Sequence, residues 1–529
     1  MPTPRPSQWP LLISLLLFSL LVVGFLCIVL VENNGHIVYV VDDAYIHLAM
    51  AKTYATTGVW GILPSLPAAT SSSILWTLLL ALGTLLAHAN TALPFVLNIF
   101  IAVAVLWLLE HLLRSIGISP VVRMTVLCAI VLFALPLEVV LGMEHGLHIL
   151  LTLAFVFVAS KRGAKSFWWD RILLAALAFG LLLTRLEGIF LLCAAGLLFL
   201  SRNEWKRLLA TIAGTVCALT IVAGVSFSVS GIPLPLTIVV KALTQVQTAQ
   251  YLPSRIADII HVLPFVPSLV LVALFLLLSR VRKQWHLGRS GSLLLLFVVT
   301  ATLHILFALN HPEMRYQTYL GVFGIVVLTG PLVEFVRQSS KNPMSFFRKI
   351  LHVFVPEVLA LFLCVSITAN MIVIVKGTHD IYLQQYQMAD FAAKYYPQEV
   401  IAINDIGLVS TVRHAPVIDV VGLANNDITS LRIHHRYTPE TLRVVTSKSH
   451  VRMAALYIEW LCNGMIYTSC ATPEGWIEVA EWTVPPTTVL GGKTVAFFAL
   501  GEENKDYLIA SLAAFSQHLP KDVTIRWIP

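Results

Sequence analysis

Apolar runs long enough to cross a bilayer recur from Leu11 to Val375, and no other feature constrains the fold as strongly. The chain is 57% hydrophobic and only 12% charged, about half the charge density of a soluble chain of this length. These runs imply an α-helical polytopic membrane protein. After Lys376 the composition turns ordinary, so the sequence divides into a membrane domain, 1–376, and a water-exposed domain, 377–529. The first external loop covers 32–73.

Charge divides along the same line. Residues 1–376 carry a surplus of 11 basic side chains, and the remainder a deficit of 4. The basic pI of about 9.0 therefore belongs to the membrane part, where it sets topology, and it does not indicate nucleic acid as a partner.

Clear spans fall at 92–113, 124–141, 146–160, 207–229, 256–279, 291–309, 316–336 and 350–376, after a retained signal-anchor at Leu11–Val31. Ser71–Ala89 is apolar for too few residues to cross, and is expected in the outer interface. The run 172–200 is too long for one span and is broken by Thr184-Arg185-Leu186-Glu187, so it reads as two short helices meeting at Arg185 and Glu187. With about eleven transmembrane helices, the N-terminus inside and the C-terminal domain outside, 18 of the 24 basic residues of the membrane part face the cytoplasm.

This threading leaves a small set of charges at the outer face: Lys52, Arg185, Lys241, Arg255, Arg315 and Lys376, with Asp42, Asp43, Glu144, Glu187, Asp258 and Glu313. A charge at membrane depth costs at least about 2.5–3.5 kcal/mol, so such residues tend to be paired or functional. Their gathering on one face from separate helices points to one site.

The local motifs resemble the GT-C class of integral-membrane glycosyltransferases, in particular the bacterial branch with the mycobacterial terminal arabinofuranosyltransferases. The carriers are "DDAYIHLAMAKTYATTGVWGI", "ATSSSILWTLLLAL", "GMEHGLHILL", "TRLEG", "SGIPLPLTIVVK" and, in the tail, "NDIGLVSTVRHAPVIDVVGLAN". Ser73, Leu186 and Leu236 depart from that branch, which has proline, proline and asparagine there. The resemblance implies transfer of a sugar, a pentofuranose such as arabinofuranose or a hexose, from a polyprenyl-phosphate donor. The acceptor would be a glycan, lipid or protein of the cell envelope, reached on the outer face of a bacterial plasma membrane.

The residues fit that chemistry. Inverting transfer needs a carboxylate to take a proton from the acceptor hydroxyl, and Asp42, matching the first acid of the family's pair, is the candidate base. Asp43 would position the acceptor or help to hold a metal. The alternative is that both acids cap the helix opening at Ala44. Arg315, Lys241 and Arg185 are candidates for binding the donor phosphate, with Glu144, Glu187, Tyr316 and His47 in support. The plainer alternatives are an Arg185–Glu187 pair joining two half-helices, interfacial snorkelling of Arg315 and Lys241, and an aromatic-belt place for Tyr316. Asp43 and His47, four apart on one helix, form a candidate pair for a divalent cation, magnesium or manganese. Asp405 and Asp419 of the tail fit strand-end roles, with contact to the acceptor as the alternative. A transporter or lipid flippase is the reading from another class, though no inverted repeat is visible; a protein O-mannosyltransferase is the alternative enzyme.

The tail reads as α/β, with strands in "EVIAINDIGLVS", "APVIDVVGL" and "TVAFFAL". Cys462 and Cys470 are a plausible disulfide if the tail lies outside the cytoplasm. The other five cysteines read as buried small residues.

Overall fold

The computed structural model describes residues 8–65, 67–87, 90–161, 168–248, 265–281, 288–308, 315–339, 346–413, 415–461, 465–467 and 469–529. Arg255, Asp258, Glu313 and Cys462 lie outside them, as does the start of the span expected at 256–279.

The apolar runs fold as helices: α1 (Trp9–Glu32), α2 (Asp43–Thr57), α3 (Ile74–Ala87), α4 (Leu93–Ser115), α5 (Pro120–Phe133), α6 (Leu135–Leu141), α7 (His145–Ser160), α8 (Trp168–Thr184), α9 (Gly188–Ser201), α10 (Trp205–Ser230) and α11 (Leu236–Thr248). Helices Phe265–Val281, Arg289–Phe307, Thr318–Ser339 and Phe346–Ile381 follow. Five stretches among the described residues are long and apolar enough to cross a membrane: 9–32, 93–115, 120–141, 205–230 and 289–307. Exposed Leu12, Leu16, Leu20, Phe100, Trp107, Leu209 and Leu278 leave an apolar exterior that water would not tolerate. These are the features of an integral membrane protein.

Breaks fall where the backbone demands them. Pro136 cannot donate to the carbonyl four residues earlier, and the helix is interrupted at Ala134, between α5 and α6. The long run 172–200 divides as its internal charges require, α8 ending at Thr184 and α9 opening at Gly188.

Helix Phe346–Ile381 runs past Lys376 into a π-turn at Tyr382–Tyr386 and then helix Gln387–Tyr395. The C-terminal part holds β1 (Ile401–Ile403), β2 (Val417–Asp419), β3 (Met453–Tyr457), β4 (Trp476–Thr483), β5 (Thr494–Leu500) and β6 (Thr524–Trp527). They form one sheet in the order β2-β1-β3-β5-β4-β6, parallel across β2, β1 and β3 and antiparallel across β3, β5, β4 and β6. Alternate residues serve two cores. Ile401, Ile403, Met453, Ala455 and Phe497 join Phe391, Trp482 and Phe515, in a core continuous with that of the membrane helices. Ala402, Ala454, Leu456, Ala496 and Phe498 pack on the other face with Leu442 and Ile428. The segment expected to continue as strand after Ile403 turns instead into a short helix, Gly407–Val412. Cys470 is disulfide-bonded, and Cys27, Cys128, Cys193, Cys217 and Cys364 are free. Contrary to the expectation of burial, Cys27, Cys193, Cys217 and Cys364 are exposed on the apolar helix surfaces.

Candidate functional site

The segment between α1 and α2 is pinned against the helices, which sets where the paired aspartates point. Tyr39 is buried, and its hydroxyl donates to the Thr91 carbonyl and accepts from the Phe95 amide at 3.1 Å. The Tyr45 hydroxyl takes the Tyr39 amide at 3.1 Å. Gly142 has φ +66°, and a Cβ there would lie 2.5 Å from the Tyr39 ring, so only glycine lets α6 end this close. Held this way, Asp42 and Asp43 face in different directions.

Asp43 faces cations. Its Oδ2 lies 3.0 Å from Arg315 Nη1 and 3.4 Å from Lys241 Nζ. Lys241 also donates to the Tyr316 hydroxyl at 3.4 Å. The Tyr316 ring lies under two guanidinium groups, with Arg185 Cζ 4.6 Å and Arg315 Cζ 4.9 Å from its centroid. Arg185 is tied by two acids, Nη1 to Glu144 Oε1 and Nη2 to Glu187 Oε1, both at 2.6 Å. Three cations placed 56 and 74 residues apart along the chain thus meet around one tyrosine. Arg315 is only 5% exposed and Tyr316 6%, so neither snorkels nor belongs to an exposed interfacial belt.

Asp42 faces the C-terminal part. It occupies the N-cap position of α2 but makes no side-chain bond to that helix. Its Oδ2 accepts the Gly407 amide at 2.7 Å and its Oδ1 the Leu408 amide at 2.9 Å. A Cβ on Gly407 would come within 2.3 Å of the Asp42 carbonyl oxygen. Two further bonds fix the same seam: Thr411 Oγ1 donates to the Tyr45 carbonyl at 3.1 Å, and Lys52 Nζ to the Thr411 carbonyl at 3.2 Å. Asp42 thus does not make the cap expected at Ala44; its carboxylate caps the short helix Gly407–Val412 across the seam instead. Burial, and then the nearby charge of Asp405, push the Asp42 carboxyl up to about 8 against the pull of the two amides. Asp405 is raised as well, first by burial, with the Tyr457 hydroxyl and Gln385 amide holding it down from 2.7 and 2.8 Å.

The two residues read as a metal pair each have other partners. Asp43 is engaged by Arg315 and Lys241. His47 sits with Nδ1 3.0 Å from Ser71 Oγ and Nε2 3.5 Å from Glu144 Oε2. Among the described residues no group of three or more His, Cys, Asp or Glu could hold a metal ion. No step is assigned to a divalent cation. Asp419 takes the strand-end role, accepting the amides of Val421, Gly422 and Ala424 at 2.8, 3.1 and 2.6 Å.

Comparison with known proteins gives a fold. The structure resembles ArnT from Cupriavidus metallidurans in its crystal structure bound to undecaprenyl phosphate, with a TM-score of 0.51. The sequences are 11% identical, and the match covers 92% of this chain and 98% of ArnT. The apo state of the same protein matches over the same shares at 11% identity, with a TM-score of 0.49. The likeness is one of overall fold, shared over nearly the whole length of both chains. Residues 379–498 match a domain of unknown function, DUF8728. No curated protein matches the sequence.

Proposed function

We propose that the chain is a membrane glycosyltransferase that moves a sugar from a polyprenyl-phosphate donor to an envelope glycan, lipid or protein. The observation that carries this reading is the convergence of Arg185, Lys241 and Arg315 on Tyr316 and Asp43. Cations held in low dielectric stabilise a departing phosphate far better than the same groups in water. The undecaprenyl phosphate in the ArnT structure supports a polyprenyl-phosphate partner for a fold of this kind.

In this reading the donor phosphate meets Arg315 and Lys241, competing with Asp43 for them. Arg185, already shared by Glu144 and Glu187, holds the cluster together and adds charge over the Tyr316 ring. Inversion requires the acceptor to approach from the face opposite the leaving phosphate. A carboxylate that touches the phosphate-binding cations is on the wrong side for the base, so Asp43 serves as their counter-ion. Asp42, turned away from the cations, marks the acceptor side. The reading carries with it the topology expected from the sequence: about eleven spans, a cytoplasmic N-terminus, and residues 377–529 outside with the catalytic mouth.

The test is a membrane assay with a panel of labelled polyprenyl-phosphate pentoses and hexoses, together with direct binding of undecaprenyl phosphate. Wild type is expected to transfer at least one sugar. Arg315→Ala is expected to weaken lipid-phosphate binding by about 10–100-fold, the loss of one charge-assisted contact. Unchanged binding would remove the phosphate site and the enzyme assignment with it.

A further inference from the structure

We propose that Asp405, from the C-terminal part of the chain, is the group that takes the acceptor's proton, so that the catalytic centre is shared across the seam. This rests on the glycosyltransferase reading above and adds a residue to it.

The argument starts from what each carboxylate at the mouth is already doing. Asp43 is on the phosphate side, bound to Arg315 and Lys241. Asp42 accepts a backbone amide on each oxygen, donors that cannot move aside without opening the seam. Asp405 lies two residues before Gly407, the residue Asp42 grips, which places it within about 7 Å of that contact. It is half-buried, and its two close donors, Tyr457 and Gln385, both address Oδ2. The side chain is therefore oriented through Oδ2, with the Asn404 side chain as a further neighbour.

A second observation marks a ligand position beside it. Gln385 is 3% exposed, its Nε2 donates to Asp405 and to the Tyr457 hydroxyl, and its Oε1 is buried without a hydrogen-bond partner. A buried acceptor left open costs about 1–3 kcal/mol. It calls for a hydroxyl donor at this place, which is what a sugar or lipid acceptor brings.

The chemistry balances with these groups alone. The acceptor O–H bond breaks, and its proton passes to the Asp405 carboxylate. The acceptor oxygen forms the new bond to the anomeric carbon. The bond from that carbon to the phosphate oxygen breaks, and its electron pair leaves with the polyprenyl phosphate, next to Arg315 and Lys241. Water later takes the proton from Asp405. The titratable groups facing Asp405 are Asp42, Asp43 and Tyr457, and burial together with the two acids makes it a stronger base than a free aspartate.

The experiment uses the full chain in proteoliposomes, with whichever donor of the panel wild type accepts. Single-turnover transfer is measured against pH, and undecaprenyl phosphate binding is measured separately. Asp405→Asn keeps the shape and an acceptor atom for Tyr457. It should bind undecaprenyl phosphate normally and transfer about 10²–10⁴-fold more slowly. Tyr457→Phe removes one donor from the carboxylate, so the acid limb of the wild-type profile should move up by about one pH unit. Near-normal transfer by Asp405→Asn overturns the proposal while leaving the enzyme reading intact. If Asp405→Asn fails to fold, the limb decides, and a profile unmoved in Tyr457→Phe overturns the proposal. Wild type that neither binds undecaprenyl phosphate nor transfers any sugar overturns both readings.

Discussion

The cation cluster and the seam hold neighbouring aspartates by different means. Around Tyr316, side chain balances side chain: Asp43, Glu144 and Glu187 against Arg185, Lys241 and Arg315. At the seam, Asp42 is held by backbone amides that belong to a fold rather than to any residue type. The first arrangement can exchange partners when an anion arrives. The second can be lost only by moving two parts of the chain apart. One residue of separation, Asp42 against Asp43, divides a place built for exchange from one built for position.

The hardest blow to this comparison comes from the cluster. Arg185→Leu leaves Glu144 and Glu187 buried without their shared cation, and should destabilise the detergent-purified protein by about 3–5 kcal/mol. A melting temperature unchanged from wild type would mean that these charges are hydrated and the cluster is not a buried network. Gly407→Ala comes next. The added methyl meets the Asp42 carbonyl oxygen at 2.3 Å and its carboxylate at 2.8 Å. A loss of about 1–3 kcal/mol and faster proteolysis around 396–413 are expected, and an unaltered digestion pattern would separate Asp42 from the seam. Thr411→Val deletes one seam bond and should cost about 1 kcal/mol in the same melting assay.

The remaining effect is that of pH. Asp42, raised to about 8 by burial and by Asp405, is more readily protonated folded than unfolded, where it titrates near 4. The folded chain therefore binds more protons between those values, and stability should decline as pH rises from about 4 to about 8 and level off above. Asp42→Asn should flatten that slope. A slope of the opposite sign would show that the two amides outweigh burial.

Legibility followed the range of the interactions. The break at Arg185 and Glu187, the short helix at 74–87 and the cluster of outer-face cations were visible because apolar length and charge are local properties of the sequence. That Arg185 would also reach Glu144, 41 residues away, was not. The strands β3, β4 and β6 escaped notice, and "GLVS" read as strand although it opens a helix, since short segments owe their form to tertiary packing. Asp42 was picked out by its motif, but its partners, 365 and 366 residues further on, leave no periodic trace in the sequence. The same distance hid the link between Asp405 and the first loop.

That separation also has a meaning during synthesis. Ribosomes add about 5–20 residues per second, so Asp42 exists for roughly 20–70 s before Gly407 is made. Through that interval the newborn chain carries Asp42 with both of its amide donors still untranslated. A truncated chain never acquires them. The bond across the seam is thus a late one: only a chain read past Leu408 can give Asp42 its two amide donors.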